Sequence, residues 1–290
     1  MNHSANTAKY DEENGCGEEE NVTLDELDAK SPEATKHWNK IARDNWMYTV
    51  SLFALSASPK GDVLELAGTG TLIAYQRAHY ILTAAHVWHK VLKAADKVGI
   101  TLRETHDHTC LFDRQTIVAS GPAEMSSWTE WGPDLIFLRI PDVRVAEIEA
   151  FRVFYLLGAE EKTVPGAEYT ESRLLLGTPG ALGIYRQNHA SVQLTPFWVS
   201  RPIRHEHEGF DYLDVYARLP PPSTVESFGG VSGGGLWRVK IYNDPETGEL
   251  DSIAVLDGVA FYEFEVHGGA GTIRCHGRKS IDTLTQSLEG

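Results

Sequence analysis

Three short runs carry the chain's chemistry. Leu82-Thr83-Ala84-Ala85-His86-Val87 closes an apolar run with a histidine, and Gly132-Pro133-Asp134-Leu135-Ile136-Phe137-Leu138 opens one with a carboxylate. Gly229-Gly230-Val231-Ser232-Gly233-Gly234-Gly235 sets a serine among glycines. A serine hydroxyl is a poor nucleophile until a neighbouring imidazole takes its proton. That imidazole in turn needs a buried carboxylate to fix its tautomer and stabilise its charged form. His86, Asp134 and Ser232 supply the three types. Glycines around the serine let a substrate carbonyl approach, and the backbone N–H groups of Gly230 and Ser232 are candidates for an oxyanion hole. Taken singly, each run has a plainer reading: a histidine ending a strand, an aspartate beginning one, and a tight turn.

These residues need a scaffold, and the rest of the chain predicts mostly strands. Runs rich in β-branched and aromatic residues fall at 47–55, 70–75, 80–83, 117–119, 135–140, 152–157, 173–176, 192–199, 212–217, 235–241 and 252–264. Gly, Pro, Asn and Asp lie between them. A parallel α/β fold needs a helix between most strands, yet only 32–43 (with Ser31 as N-cap and Pro32 at the first helical position), 87–97 and 280–288 look helical. The expectation is an all-β, antiparallel body of two small barrels. It spans 46–290, a first barrel over about 46–150 and a second over about 151–290, after an extension over 1–45.

The order His, Asp, Ser, with the aspartate 48 positions after the histidine and the serine a further 98 on, resembles the trypsin-like (chymotrypsin-fold) serine peptidases. In that family the histidine closes a Thr-Ala-Ala-His motif, the aspartate precedes an apolar strand, and the serine sits in a Gly-x-Ser-Gly-Gly turn. The resemblance runs from about Trp46 to the C-terminus. It implies two antiparallel six-stranded β-barrels with a C-terminal helix. It implies a His86-Asp134-Ser232 triad with an oxyanion hole at Gly230 and Ser232. The strand around Leu256-Asp257-Gly258-Val259-Ala260-Phe261-Tyr262 would pair with substrate backbone. The residue six before the serine, Glu226, would lie at the base of the pocket for the acyl-side side chain, with Glu263 at its entrance. Two carboxylates there favour Lys or Arg. Phe261, Tyr262 and Glu263 are thus substrate-binding candidates alongside Glu226.

Secreted members that are activated by cleavage carry an aspartate just before the serine, and disulfides. This chain has Val231 in that place and only three cysteines, at 16, 110 and 275. It therefore resembles the bacterial and intracellular branch, which needs no zymogen cleavage. The partners implied are a protein or peptide substrate and a regulatory protein; no cofactor is required.

Other readings compete. Gly230-Val231-Ser232-Gly233-Gly234 also fits the Gly-x-Ser-x-Gly elbow of α/β-hydrolases, with Asp251 and His267 as partners, but that elbow opens a helix whereas glycines and the strand-like Leu236-Trp237-Arg238-Val239 follow Ser232. A trypsin-like domain kept as a silent binding module usually lacks a triad member. His106, His108 and Cys110, and His205 with His207, have ligand-like spacing but sit in polar, loop-like stretches, so no metal is expected. Gly68-Thr69-Gly70 lacks the Gly-Lys-Ser/Thr of a phosphate loop.

Composition narrows the classes. In 290 residues, 41 acids against 26 bases give a net charge of −15, which argues against a nucleic-acid surface. Residues 1–30 carry −7 of it and read as a solvated acidic head. No run reaches the roughly 18 apolar residues of a membrane span, and no basic-then-apolar leader opens the chain. The expectation is a cytoplasmic protein with reduced thiols and no membrane partner.

Overall fold

The computed structural model describes residues 32–59, 62–103, 108–124, 128–186, 189–218 and 227–288. Strands β1 (Thr49–Ser56), β2 (Val63–Tyr75), β3 (Ala78–Thr83), β4 (Lys97–Thr101), β5 (Thr109–Asp113), β6 (Val118–Ser120), β7 (Ile136–Arg139) and β8 (Tyr155–Leu156) form one sheet. Its order is β5-β4-β1-β2-β3-β7-β6, with the two-residue β8 parallel on β2 and every other pairing antiparallel. The second half begins with β9 (Thr170–Gly177), the hairpin of β10 (Ile184–Arg186) and β11 (His189–Ser191), and β12 (Thr195–Trp198). It continues with β13 (Ile203–His207), β14 (Phe210–Arg218), β15 (Gly235–Asn243), β16 (Leu250–His267) and β17 (Ala270–Gly277). Apart from the hairpin, these make a second antiparallel sheet in the order β12-β9-β15-β16-β17-β14-β13.

The body is thus mostly β, in two antiparallel sheets, one of them curled into a half-barrel. Among the described residues the outer strands β5 and β6 of the first sheet are not paired to each other, nor are β12 and β13 of the second. Among the described residues the pairing does not close either sheet into a six-stranded barrel.

Helix α1 (Pro32–Trp46) buries Ile41 and Ala42 in a cluster with Leu174, Trp237, Leu256 and Ile281, and stacks Trp38 edge-on against Trp198 at 4.5 Å. It is part of the folded body, although it follows the acidic head in sequence; Ser31, its expected cap, lies outside the described residues. The helix expected over 87–97 is shorter. Helix α2 (Ala85–Lys90) gives way to a 3₁₀ turn (Leu92–Ala94), because Val98 and Ile100 are needed as fully buried β4 residues beside Leu52. Helix α3 (Asp142–Glu149) has no signal in the sequence strong enough to anticipate, its valines favouring a strand; it buries Val145 and Ile148, three apart on one face. Helix α4 (Arg278–Thr285) closes the chain as expected, with a 3₁₀ turn (Gln286–Leu288) after it.

One apolar cluster lies within the second half, another fills the first half and takes in Tyr212 and Phe261 of the second, and the third, around Ile73, Leu82, Phe137, Leu174, Trp237 and Val259, joins the sheets. Cys110 and Cys275 are buried free thiols, and burial pushes Cys110 up to about 12. Cys16 lies outside the described residues. No described helix is long and apolar enough to cross a membrane.

Candidate active site

His86 stands in the first turn of α2, directly after β3, and Asp134 just before β7, which pairs antiparallel with β3. Sheet pairing therefore brings together two residues that are 48 apart in sequence. Asp134 holds His86 at two points: Oδ2 lies 2.6 Å from the ring Nδ1, and Oδ1 accepts the His86 backbone N–H at 2.8 Å. Its side chain is 2% exposed against 22% for His86, so the carboxylate is buried behind an imidazole that faces the cleft.

Ser232 comes from the second half, in the turn before β15. That turn is fastened to the first sheet by β2, where the Thr71 hydroxyl donates to Gly233 O at 3.3 Å and Thr69 makes the closer contacts. The Thr69 N–H donates to Ser232 O at 2.9 Å, and its hydroxyl donates to Gly230 O at 2.7 Å while accepting the Thr178 N–H at 2.9 Å. Gly230 has φ +96° and its missing Cβ would run into the Thr178 carbonyl, so no other residue fits there without strain. The Val231 N–H is spent on Phe228 O. The flanking Gly230 and Ser232 amides, and the Ser232 Oγ and His86 Nε2, have no hydrogen-bond partner among the described residues.

His86, Asp134, Gly230, Ser232, Tyr262 and Glu263 line one cavity of about 340 Å³ between the halves. Trp128 lines it too, 6.4 Å from the His86 ring and stacked on His89. Strand β16 contributes its far half. It pairs with β15 as far as Val259, and Ala260 closes the ladder through Gly233 and Gly234. Beyond Ala260 that side of β16 has no strand partner among the described residues, while its other side stays paired to β17. Among the described residues this leaves an open edge beside Ser232, the geometry that accepts an extended peptide as an added strand.

The substrate-binding candidates part company here. Tyr262 is half-buried on the cavity wall. Phe261 lines the cavity too, although it is 3% exposed and stacks on His276 at 4.3 Å. Glu263 reaches across to the serine loop, where Oε1 accepts the Ser227 hydroxyl at 2.6 Å and Oε2 the Phe228 N–H at 2.5 Å. Its charge faces the cavity, but both oxygens already hold a donor. Glu226 lies outside the described residues.

The competing arrangements fare differently. Asp251 and His267 stand near opposite ends of the 18-residue β16, roughly 50 Å apart along an extended strand, and neither lines the Ser232 cavity. Among the described residues no group of three His, Cys, Asp or Glu could hold a metal. His205 pairs with Asp214 at 3.0 Å and His207 lies near Glu208, while His108 stacks on Phe151 and His106 lies outside the described residues. Three residues at the site, Thr69, Trp128 and His276, are not among the sequence candidates; Thr69 falls in the Gly68-Thr69-Gly70 run considered there only as a phosphate loop.

Comparison with protein-family profiles finds no matching family, and comparison with curated proteins finds no matching relative.

Proposed function

We propose that the chain is a serine endopeptidase of the trypsin-like kind, its two sheets corresponding to the two six-stranded barrels of that fold. The observation that carries this reading is the two-point grip of Asp134 on His86 in a cavity that also holds Ser232 and two unpartnered amides. In the reaction, Ser232 Oγ attacks the peptide carbonyl carbon as its proton passes to His86 Nε2, and the Gly230 and Ser232 amides receive the oxyanion. Asp134 keeps the imidazole in the Nδ1–H tautomer and stabilises its charged form. Collapse expels the amine, which takes the proton from His86. Water then attacks the acyl-enzyme, again giving its proton to His86, and collapse releases the product acid as Ser232 Oγ takes that proton back. No cofactor enters these steps.

The substrate is an extended peptide segment, held along the open edge of β16, in limited proteolysis of a protein partner within the cell. A regulatory protein is a second partner. The Glu263 charge at the cavity favours Lys or Arg on the acyl side over Asp or Glu; the part the family resemblance gives to Glu226 is proposed from sequence alone. Incubating the protein with a peptide library and sequencing the new N-termini tests this: cleavage that disappears in Ser232→Ala supports it, and equal cleavage by that variant refutes it. A second reading, a silent binding module, is favoured by one observation, the lack of a hydrogen bond between Ser232 Oγ and His86. Such bonds are often long before substrate arrives.

A further inference from the structure

Behind the acid of the site lies a histidine for which the reaction has no use. His276, in β17, is fully buried. Its Nε2 lies 3.0 Å from the Asp134 backbone nitrogen, in line with that N–H, across 142 residues of sequence. Two N–H groups facing each other at that distance would repel, so Nε2 is the acceptor and the ring proton sits on Nδ1. Nδ1 is buried and has no partner.

A phenylalanine or leucine would fill this place without leaving a donor unpaired, and an unpaired buried donor is destabilising. The histidine therefore has a use that outweighs this cost, and its contact with Asp134 supplies one. The stretch 130–135 that carries Asp134 has no strand or helix of its own. It is held from the second sheet at several points. Arg274, on the same face of β17 as His276, donates to Glu130 O at 3.2 Å and lies 3.8 Å over the Trp131 ring. The Tyr212 hydroxyl donates to Trp131 O at 2.9 Å. The Asp134 N–H itself is shared between Gly132 O at 2.8 Å, a cramped contact two residues back, and His276.

We propose that His276 is a positioning residue of the site: its neutral imidazole, packed between Phe261 and Tyr212, accepts the Asp134 N–H and so sets the carboxylate that grips His86. This rests on the peptidase reading only for its effect on rate. Burial pushes the imidazole down to about 4 against the opposing pull of Asp134, Asp211 and the Gly132 carbonyl, so the ring stays neutral through the working range. Tyr212, Phe210 and Phe261 complete its surroundings.

The test uses His276→Phe, which keeps the aromatic packing and removes the acceptor, and His276→Gln, whose side-chain oxygen reaches about as far as Nε2. In the parent, nitrogen NMR should find His276 in the Nδ1–H tautomer and a far-downfield proton on His86 Nδ1. In folded His276→Phe that proton should move upfield or vanish and Ser232 acylation by a fluorophosphonate should fall at least tenfold. His276→Gln should restore both to within about threefold of the parent. An Nε2–H tautomer in the parent, or a folded His276→Phe with an unchanged His86 proton and unchanged acylation, overturns the proposal. If His276→Phe does not fold, the parent tautomer and His276→Gln still decide. A parent that is never acylated refutes the peptidase reading alone, because the two proton signals need no activity.

Discussion

Thr69 grips the Ser232 turn from the opposite sheet, its N–H on Ser232 O and its hydroxyl on Gly230 O. Ser232 and the His86–Asp134 pair come from different halves, so this contact helps set how the halves meet at the cavity. Thr69→Val keeps the shape, strands the Thr178 N–H and removes the donor to Gly230. We expect a loss of about 1–3 kcal/mol in chemical denaturation, with acylation reduced by more than the fraction unfolded explains. A variant as stable and as reactive as the parent would show that Thr71, whose hydroxyl donates to Gly233 O, and the turn's own contacts suffice.

Asp134→Asn should leave a folded protein with its imidazole in the wrong tautomer. Acylation should drop by about 10³- to 10⁴-fold, as in other triads of this kind, and the His86 Nδ1 proton should disappear from its downfield position. Acylation rates measured across pH 5–9 check this, since a loss confined to one end of the range would mean that the asparagine merely shifts a titration.

Stability should fall with acid through His276. Its folded-state value near 4 lies below the ordinary 6.5, so the unfolded chain binds the extra proton between these limits. The contribution is fully present above pH 6.5, shrinks at about 1.4 kcal/mol per pH unit on acidification, and is spent by pH 4, about 3 kcal/mol in all. Urea denaturation at half-unit steps should show this slope in the parent and its loss in His276→Gln. Equal slopes in both would place the titration elsewhere.

Truncation separates the acidic head from the helix after it. Deleting 1–30 should leave melting and acylation unchanged, because that segment is charged and poor in aromatics. Deleting 1–46 removes Ile41, Ala42 and the Trp38–Trp198 contact from the core and should cost several kcal/mol. Loss of folding in the shorter deletion would give the head a structural role.

Exchanging Glu263 for Gln should weaken any preference for Lys or Arg on the acyl side by about tenfold and also loosen Ser227 and Phe228, which its oxygens hold. Glu226→Gln tests the other carboxylate. A cleavage profile favouring small or apolar side chains, unmoved by either change, removes both from the pocket.

His86, Asp134 and Ser232 were legible in the sequence because each sits in a local motif whose residue types have a chemical reason to be adjacent. The strand content was legible for the same kind of reason, β-branched runs between turn residues. Contacts made only by tertiary pairing were not. β17, Ala270-Gly271-Thr272-Ile273-Arg274-Cys275-His276-Gly277, mixes glycine, arginine and histidine into a strand buried on both faces, so neither its existence nor the two side chains that hold the Asp134 loop had a pattern to show. Thr69 reads as an ordinary strand threonine until Gly230 and Ser232 are placed beside it. Phe261, read as part of the cleft strand, lines the cavity and also packs into the core, beside the bulge in β16 between Ala260 and Tyr262.

The most direct measurement is intact-mass and peptide-level analysis after treatment with a fluorophosphonate. The expected result is one adduct per chain, on Ser232, formed in the parent and absent from both Ser232→Ala and His86→Ala, with each variant melting within about 2 kcal/mol of the parent. An adduct on another serine, or labelling of Ser232 that persists without His86, would contradict the assignment of this cleft as a serine peptidase site.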